Sequence, residues 1–437
     1  MLLPLLVLAL PALAHADDAP ASDWLTRTTL TGDWNGARPA LAAKGLSFQA
    51  NWIADVMGNV AGGMRQGLGG DGELEVTATL DLDKLAGWQG TQVVASLYWL
   101  QGHGLSADYV GNLLTVTNIE LQPELRLGDL YLEHDSADGV WSLRLGQIGI
   151  DDDFAISPTA GLFVNSTFGW PGLGAIDLPG GGPAEPLPTP GARLRWTPNA
   201  TWSVQGAVFN GNPDGDTGNT DGLDFPLDNG VLAIAEITYT HAPKGGLTGI
   251  YRFGGWYLSE GSSSLTTASN GLPLSAPGAD APLPLPGSYA LYAIADQQLL
   301  QKGDATLAGF VRLAVAPQID RNEASFYVDA GLTLTGPLPG RPNDVAGIAF
   351  AYAKISPDLA DADRARNAET GIDGPVMDYE AVVEVTYQAA VTPWLSVQPF
   401  FQYIIHPGGN VPQPDGSAPT EPLRNATVIG LRTRVVF

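Results

Sequence analysis

Segment after segment of this chain alternates apolar and polar residues with a period of two, and one face of each carries formal charges. Phe48, Ala50, Trp52, Ala54 and Val56 alternate with Gln49, Asn51 and Asp55. Leu74, Val76, Ala78, Leu80 and Leu82 alternate with Glu75, Thr77, Thr79, Asp81 and Asp83, and Tyr379, Ala381, Val383, Val385 and Tyr387 oppose Glu380, Glu384, Thr386 and Gln388. Period-2 alternation marks a strand with two unlike faces, and a charged second face excludes the buried interior of a sandwich. The last twelve residues repeat the pattern, with Ile429, Leu431, Thr433 and Val435 against Arg432 and Arg434, and end on Phe437. Such strands suit a wall with lipid on one side and water on the other.

About 16 segments of this kind occur, an even number as bacterial barrels require. They lie near 48–56, 73–83, 91–100, 125–134, 140–149, 191–197, 201–210 and 230–240, then 248–259, 287–299, 304–314, 323–335, 344–355, 378–389, 394–404 and 426–437. Most approach the nine to eleven residues that a tilted strand needs to cross the hydrocarbon. The connections sort by parity. Gaps after even-numbered segments are short (84–90, 135–139, 198–200, 241–247, 300–303, 336–343, 390–393). Gaps after odd-numbered ones are long (57–72, 101–124, 150–190, 211–229, 260–286, 356–377, 405–425), with 315–322 the exception. Short periplasmic turns and long outer loops produce this rhythm, and a soluble propeller or sandwich has no reason to. The expected fold is all-β: a 16-stranded antiparallel transmembrane barrel.

Composition narrows the partners. Charged residues are 15% of the chain and the net charge is −25, which disfavours binding to a nucleic-acid backbone. There is no cysteine, so disulfide frameworks and thiolate metal sites are excluded. An apolar stretch from Met1 ending in Ala14-His-Ala16 reads as a signal peptide over 1–16, though without the usual basic start. Beyond it no apolar run is long enough for a spanning helix. Residues 17–47 read as a periplasmic segment with one short helix over 31–45, Asp33 as its N-cap and Gly45 as its stop, and 48–437 as the barrel.

The longest connection, about 150–190, is rich in apolar and aromatic residues, which argues against disorder. Several stretches in this order resemble the carbohydrate-selective porins of the OprB family: Gly32-Asp-Trp-Asn-Gly-Ala-Arg38 with Lys44-Gly45, Gly58–Gly63, Tyr109–Glu120, Asn165-Ser-Thr-Phe-Gly-Trp-Pro171, Asp329–Thr333, Pro339–Pro342 and Ile405–Asn410. The resemblance implies an outer-membrane channel for passive diffusion of mono- and small oligosaccharides, with 150–190 folded into the lumen as a constriction loop. It also implies an outer-membrane lipid environment, and a terminal aromatic, Phe437, that serves the barrel assembly machinery. A homotrimer is common among porins, but strand faces that all look apolar do not single out an interface.

Parity places Glu133, Arg144, Arg193, Arg195, Glu236 and Arg252 toward the lumen, with Glu75, Arg312, Glu380, Glu384, Arg432 and Arg434. An arginine at mid-membrane on the lipid face costs about 2–4 kcal/mol, so the charged parity faces inward. Arg144, Arg193 and Arg195 flank the long loop and are expected to face it, with Glu133 as counter-charge and Asp153 on the loop; a ladder of mutually neutralising wall charges is the alternative. A neutral polyol exchanges water for hydrogen bonds with such groups, and weak multi-point binding speeds transit. Asn165, Phe168 and Trp170 offer a polar and aromatic contact for a sugar; equally, both rings could anchor the loop. Trp52, Trp99, Trp141, Trp196, Trp202, Trp394, Tyr257 and Tyr403 fall near strand ends, as aromatic girdles do. Asp214–Asp224 resembles a Ca²⁺ loop but lacks its closing Glu and helical flanks, so no metal is assigned. No cofactor motif or catalytic triad order appears. A general or ion-preferring porin is the competing function, with a barrel enzyme behind it.

Overall fold

A computed structural model describes residues 24–215, 218–413 and 420–437. The signal-peptide stretch 1–16 and Asp216 of the acidic loop lie outside the described residues. The first strands are β1 (Leu46–Ala61), β2 (Gly67–Asp81), β3 (Thr91–His103), β4 (Leu125–Asp135), β5 (Trp141–Ile148) and β6 (Thr189–Trp196). They continue as β7 (Trp202–Asn210), β8 (Val231–His241), β9 (Gly249–Leu258), β10 (Ser262–Ala268), β11 (Pro282–Leu285) and β12 (Ser288–Lys302). The last are β13 (Ala305–Val315), β14 (Ala324–Thr335), β15 (Val345–Ile355), β16 (Tyr379–Thr392), β17 (Leu395–Ile405) and β18 (Ala426–Val436).

All but β10 and β11 form one closed antiparallel barrel of 16 strands, each hydrogen-bonded to its sequence neighbour in the wall. β18 closes it against β1, with Trp52 opposite Val435 and Asp55 opposite Arg432. Closure leaves no unpaired edge, the condition for a sheet to stand in lipid. β10 and β11 form a small hairpin within one long loop.

The outer face is a continuous apolar belt: Val56, Leu97, Leu145, Leu194, Phe253, Ile348, Val385 and Leu431 are all exposed. Their neighbours along each strand face inward, and many of these are charged, among them Asp55, Arg144, Arg193, Arg252, Glu384 and Arg432, although Ile348 is flanked by Gly347 and Ala349. At the short-turn rim Trp141 stacks on Trp196 at 6.0 Å, and Trp202 lies 4.9 Å from Tyr239, as an interfacial girdle does. Trp394 departs from that expectation. It is 6% exposed, lies 5.6 Å from Trp24 and donates from Nε1 to the Trp24 carbonyl, so it docks the N-terminal segment.

Two further expectations are corrected. The helix is shorter than 31–45: it spans Ala37–Ala43 and follows Gly36 at φ 85°, so Asp33 is not its N-cap. Trp34 and Asn35 also have positive φ, which makes the stretch before it a turn. Gly45, at φ 92°, does end the helix. The connection 57–72 is not a long loop, because β1 and β2 extend to Ala61 and Gly67. Gly58, Gly67, Gly69, Gly70 and Gly72 carry no side chain to reveal a face, so the alternation fades there although pairing continues.

Candidate functional site

Two long connections, 149–188 and 104–124, leave the rim and fold into the barrel. The first closes at its neck, where Ile150 N donates to the Pro183 carbonyl at 2.7 Å and Glu185 N to Asp151 Oδ1 at 2.8 Å. Its apolar side chains Phe154, Phe163, Val164, Phe168, Leu173 and Leu178 are buried against the wall. Phe163 meets Phe168 at 5.0 Å and Phe310 of β13 at 6.1 Å, and Phe168 meets Phe310 edge-on at 6.3 Å. Such ring pairs contribute roughly 0.5–1.5 kcal/mol beyond their burial.

Wall side chains supply the hydrogen bonds that the loop backbone lacks, as buried peptide groups require. Arg312 donates to the Thr167 carbonyl at 2.7 Å and the Gly169 carbonyl at 2.8 Å, and pairs with Asp329. Tyr327 bonds Thr167 Oγ1 at 2.7 Å and Asp329 at 2.9 Å. Glu384 accepts from Val164 N and Asn165 N at 2.7 and 2.9 Å, and Glu236 accepts from Ala155 N at 3.0 Å.

The second inward connection is held in the same way. Glu380 accepts from Leu113 N at 2.8 Å, Leu114 N at 2.7 Å and Gly408 N at 2.7 Å. Gln402 donates to the Val116 carbonyl at 2.8 Å. Arg432 pairs with Asp55 at 2.7 Å and also holds Thr117 Oγ1 and Asn118 Oδ1, each at 2.7 Å. The loops meet where Ser166 N donates to the Thr115 carbonyl and Asn118 N to the Val164 carbonyl. Sequence reasoning missed this second loop. Its signal was the apolar run Leu113, Leu114, Val116 and Ile119, which a solvated connection has no reason to carry.

The loops cover much of the wall from β8 round to β18. Facing the neck, the strands β4 to β6 carry the charged row. Glu133, Arg144 and Arg193 occupy one cross-strand rung. Asp153 of the loop reaches Arg144 at 3.1 Å, Arg193 at 3.1 Å and Arg195 at 3.5 Å. Glu133 holds Arg193 at 2.7 Å and Arg144 at 3.5 Å, and Asp152 lies 3.3 Å from Arg144. The Arg144 guanidinium also sits 4.3 Å from the Tyr131 ring centre, a cation–π contact. Arg193 is wholly buried, whereas the side chains of Arg195 and Asp152 are each 37% exposed. Around the seam Arg434 is exposed.

The remaining candidates separate by burial. Arg252 bridges Glu236 at 3.7 Å and Asp296 at 3.6 Å beneath the loop. Asn165 is inaccessible, donating to the Leu114 carbonyl and to Gln402, and Phe168 is 1% exposed. Of the two roles weighed for Phe168, its packing is that of an anchor. Trp170 is half-buried; its Nε1 donates to the Gly181 carbonyl and its ring lies over Gly174, where a Cβ would come within 2.7 Å. Phe437 N donates to the Ala50 carbonyl at 2.9 Å. In the loop neck, burial pushes the Asp151 carboxyl up to about 7. Burial also raises Glu185, whose carboxylate neighbours add to the rise.

A closed barrel with an apolar exterior, a charged interior and loops narrowing its bore is a porin-type channel. Residues 65–437 match the family described as carbohydrate-selective porin, OprB family. The chain belongs to that family, and is a carbohydrate-selective diffusion channel of the Gram-negative outer membrane. It is 28% identical to "Porin B" of Pseudomonas aeruginosa, over 98% of this chain and 95% of that protein. "Putative porin QuiX" of Acinetobacter baylyi is 24% identical over 94% of this chain and 93% of that one. Among solved structures, the high-pH structure of Pseudomonas putida OprB superposes with a TM-score of 0.83 at 25% identity, covering 94% of this chain and 99% of that one.

Proposed function

We propose that monosaccharides and small oligosaccharides pass along the part of the wall that the loops leave open. Arg195, Asp152 and Arg144 line one side, and Arg434, Arg432 and Asn118 the other. The observation that carries this reading is exposure of both signs at the narrowing. Arg195 and Asp152 are each 37% exposed and are positioned by neighbours that are not. A guanidinium and a carboxylate side by side offer donors and acceptors to sugar hydroxyls. Neither leaves a large net field to favour an ion. Glu133, Arg193, Glu236, Arg252 and Asp153 then act by holding the charged row and the loop in place.

Liposome swelling with purified protein tests the reading. Glucose and arabinose are expected to enter faster than size-matched amino-acid zwitterions, with Arg195→Ala narrowing the difference. Equal rates for sugars and zwitterions would favour the general-porin alternative. An unchanged ratio in Arg195→Ala would remove that residue from the path.

A further inference from the structure

We propose that a divalent cation of the Ca²⁺ type binds between Asp129 of β4 and the two ends of the inward loop, Asp152 and Glu185, and fastens the loop's neck to the wall. One carboxylate oxygen from each of the three lies within 4.8 Å of the others. The positive charges nearby are already engaged. Asp153 takes the three arginines of β5 and β6, and Arg144 also reaches Asp152 at 3.3 Å.

Asp129 is 8% exposed, and its Oδ1 accepts from Gly149 N at 3.1 Å. Glu185 has no such donor: both its carboxylate oxygens are buried and accept from no N–H or hydroxyl, and the polar group it meets is the Asp129 carboxyl. A desolvated carboxylate facing another carboxylate is strongly unfavourable unless a cation enters between them or the two share a proton, and these are the alternatives the experiment separates. The backbone also makes room for this group. A Cβ at Gly149 would come 2.7 Å from Glu185 Oε1, so a side chain there would displace the carboxylate.

The cluster contains only carboxylate oxygen, with no imidazole or thiolate. That selects a hard cation and disfavours zinc and copper. Asp152 is exposed and leaves the cluster open to solvent on one side. The ligands come from β4 and from both ends of a loop of about forty residues, so one ion would act as a cross-link across a long closure.

Protein stripped with chelator and held in detergent is titrated with CaCl₂ by calorimetry, as wild type and as Glu185→Gln. The heat at which each loses its folded, fast-migrating band on a denaturing gel is measured with and without CaCl₂. The wild type is expected to show one site with a Kd on the order of 0.1–1 mM, the range of extracellular calcium modules, and a folded band that survives to higher temperature in Ca²⁺. Glu185→Gln is expected to lose both effects. Asp361→Asn, on an exposed loop helix, is expected to keep both. Equal calcium responses in wild type and Glu185→Gln would overturn the proposal. So would a calcium-insensitive wild type with a Glu185→Gln variant as stable as it or more so, since that is the behaviour of two carboxyls sharing a proton. Should Glu185→Gln fail to assemble, Asp152→Asn carries the same expectations and the same refuting outcomes.

Discussion

At the scale of single residues, the lumen shows that inward-facing charge has two fates. Arg193 and Arg195 are two positions apart on one strand, yet the first is wholly buried between Glu133 and Asp153 and the second is 37% exposed. Arg195→Ala is therefore expected to alter stability by no more than about 0.5–1 kcal/mol, the scale of an exposed pair. Its effect belongs in single-channel conductance and sugar flux; a variant with wild-type conductance would contradict this. Arg312 lies at the other extreme, 2% exposed, paired with Asp329 and bonded to loop carbonyls. Removing it leaves Asp329 buried and unpaired, a change that costs about 3–5 kcal/mol. Arg312→Ala is expected to lose its folded band at a markedly lower temperature, and Arg312→Met with Asp329→Leu to recover part of that loss. A single variant as heat-resistant as wild type would show that Arg312 does not hold the loop. Parity placed Glu133, Arg193, Arg195 and Arg312 inward from sequence alone. Which of them a loop would cover was not legible, because that depends on contacts between residues 40 positions apart for Arg193 and Asp153 and 145 apart for Arg312 and Thr167.

At the scale of elements, the loops are held by carboxylates acting on peptide groups. Glu380 and Glu384 stand four apart on β16 and point to the same face. The first takes two N–H groups from 104–124 and one from Gly408; the second takes two from 149–188. A glutamine can accept through one oxygen only, and it turns an amide donor toward the other N–H. Glu384→Gln is thus expected to weaken the loop's attachment by about 1.5–3 kcal/mol, the worth of hydrogen bonds to a charged group. The bore should fluctuate more, with higher and noisier conductance and less discrimination between glucose and a disaccharide. A quiet, wild-type current trace would refute it. The strands were readable because each carries its own two-faced pattern. The inward course of 149–188 is what the family resemblance implies, while that of 104–124 is signalled only by leucines and a valine that a solvated loop would not carry. The acidic stretch 358–378 holds a helix, Pro357–Thr370, that the pattern could not show. Only Ala360 and Asp363 of it are buried, so it has no apolar stripe.

At the scale of the whole molecule, closure is the step on which every other feature depends, and the N-terminal segment reinforces it from the short-turn rim. Arg38 donates through one nitrogen to the Phe48 carbonyl at 3.0 Å and the Phe437 carbonyl at 2.8 Å, and so touches both strands of the β1–β18 seam. Through its other terminal nitrogen it holds Thr29 Oγ1 at 2.9 Å and the Gly32 carbonyl at 3.2 Å, tying the segment to itself. Leu30 N donates to the Val436 carbonyl at 2.7 Å, and Trp394 holds Trp24. The seam is otherwise an ordinary antiparallel pair, but its two strands come from opposite ends of the chain, so its formation carries the largest loop-closure cost in the wall. Arg38→Ala removes a charged donor from four acceptors, each worth roughly 1–3 kcal/mol when left unsatisfied and less where water replaces it. The expected result is a barrel that unfolds in denaturing detergent at a lower temperature and faster, while sugar flux through intact barrels stays at the wild-type rate. Arg38→Lys, a point charge that cannot span both carbonyls, is expected to fall between. If Arg38→Ala unfolds at the wild-type temperature and rate, the seam stands without the segment, and the helix Ala37–Ala43 has no part in holding the barrel closed.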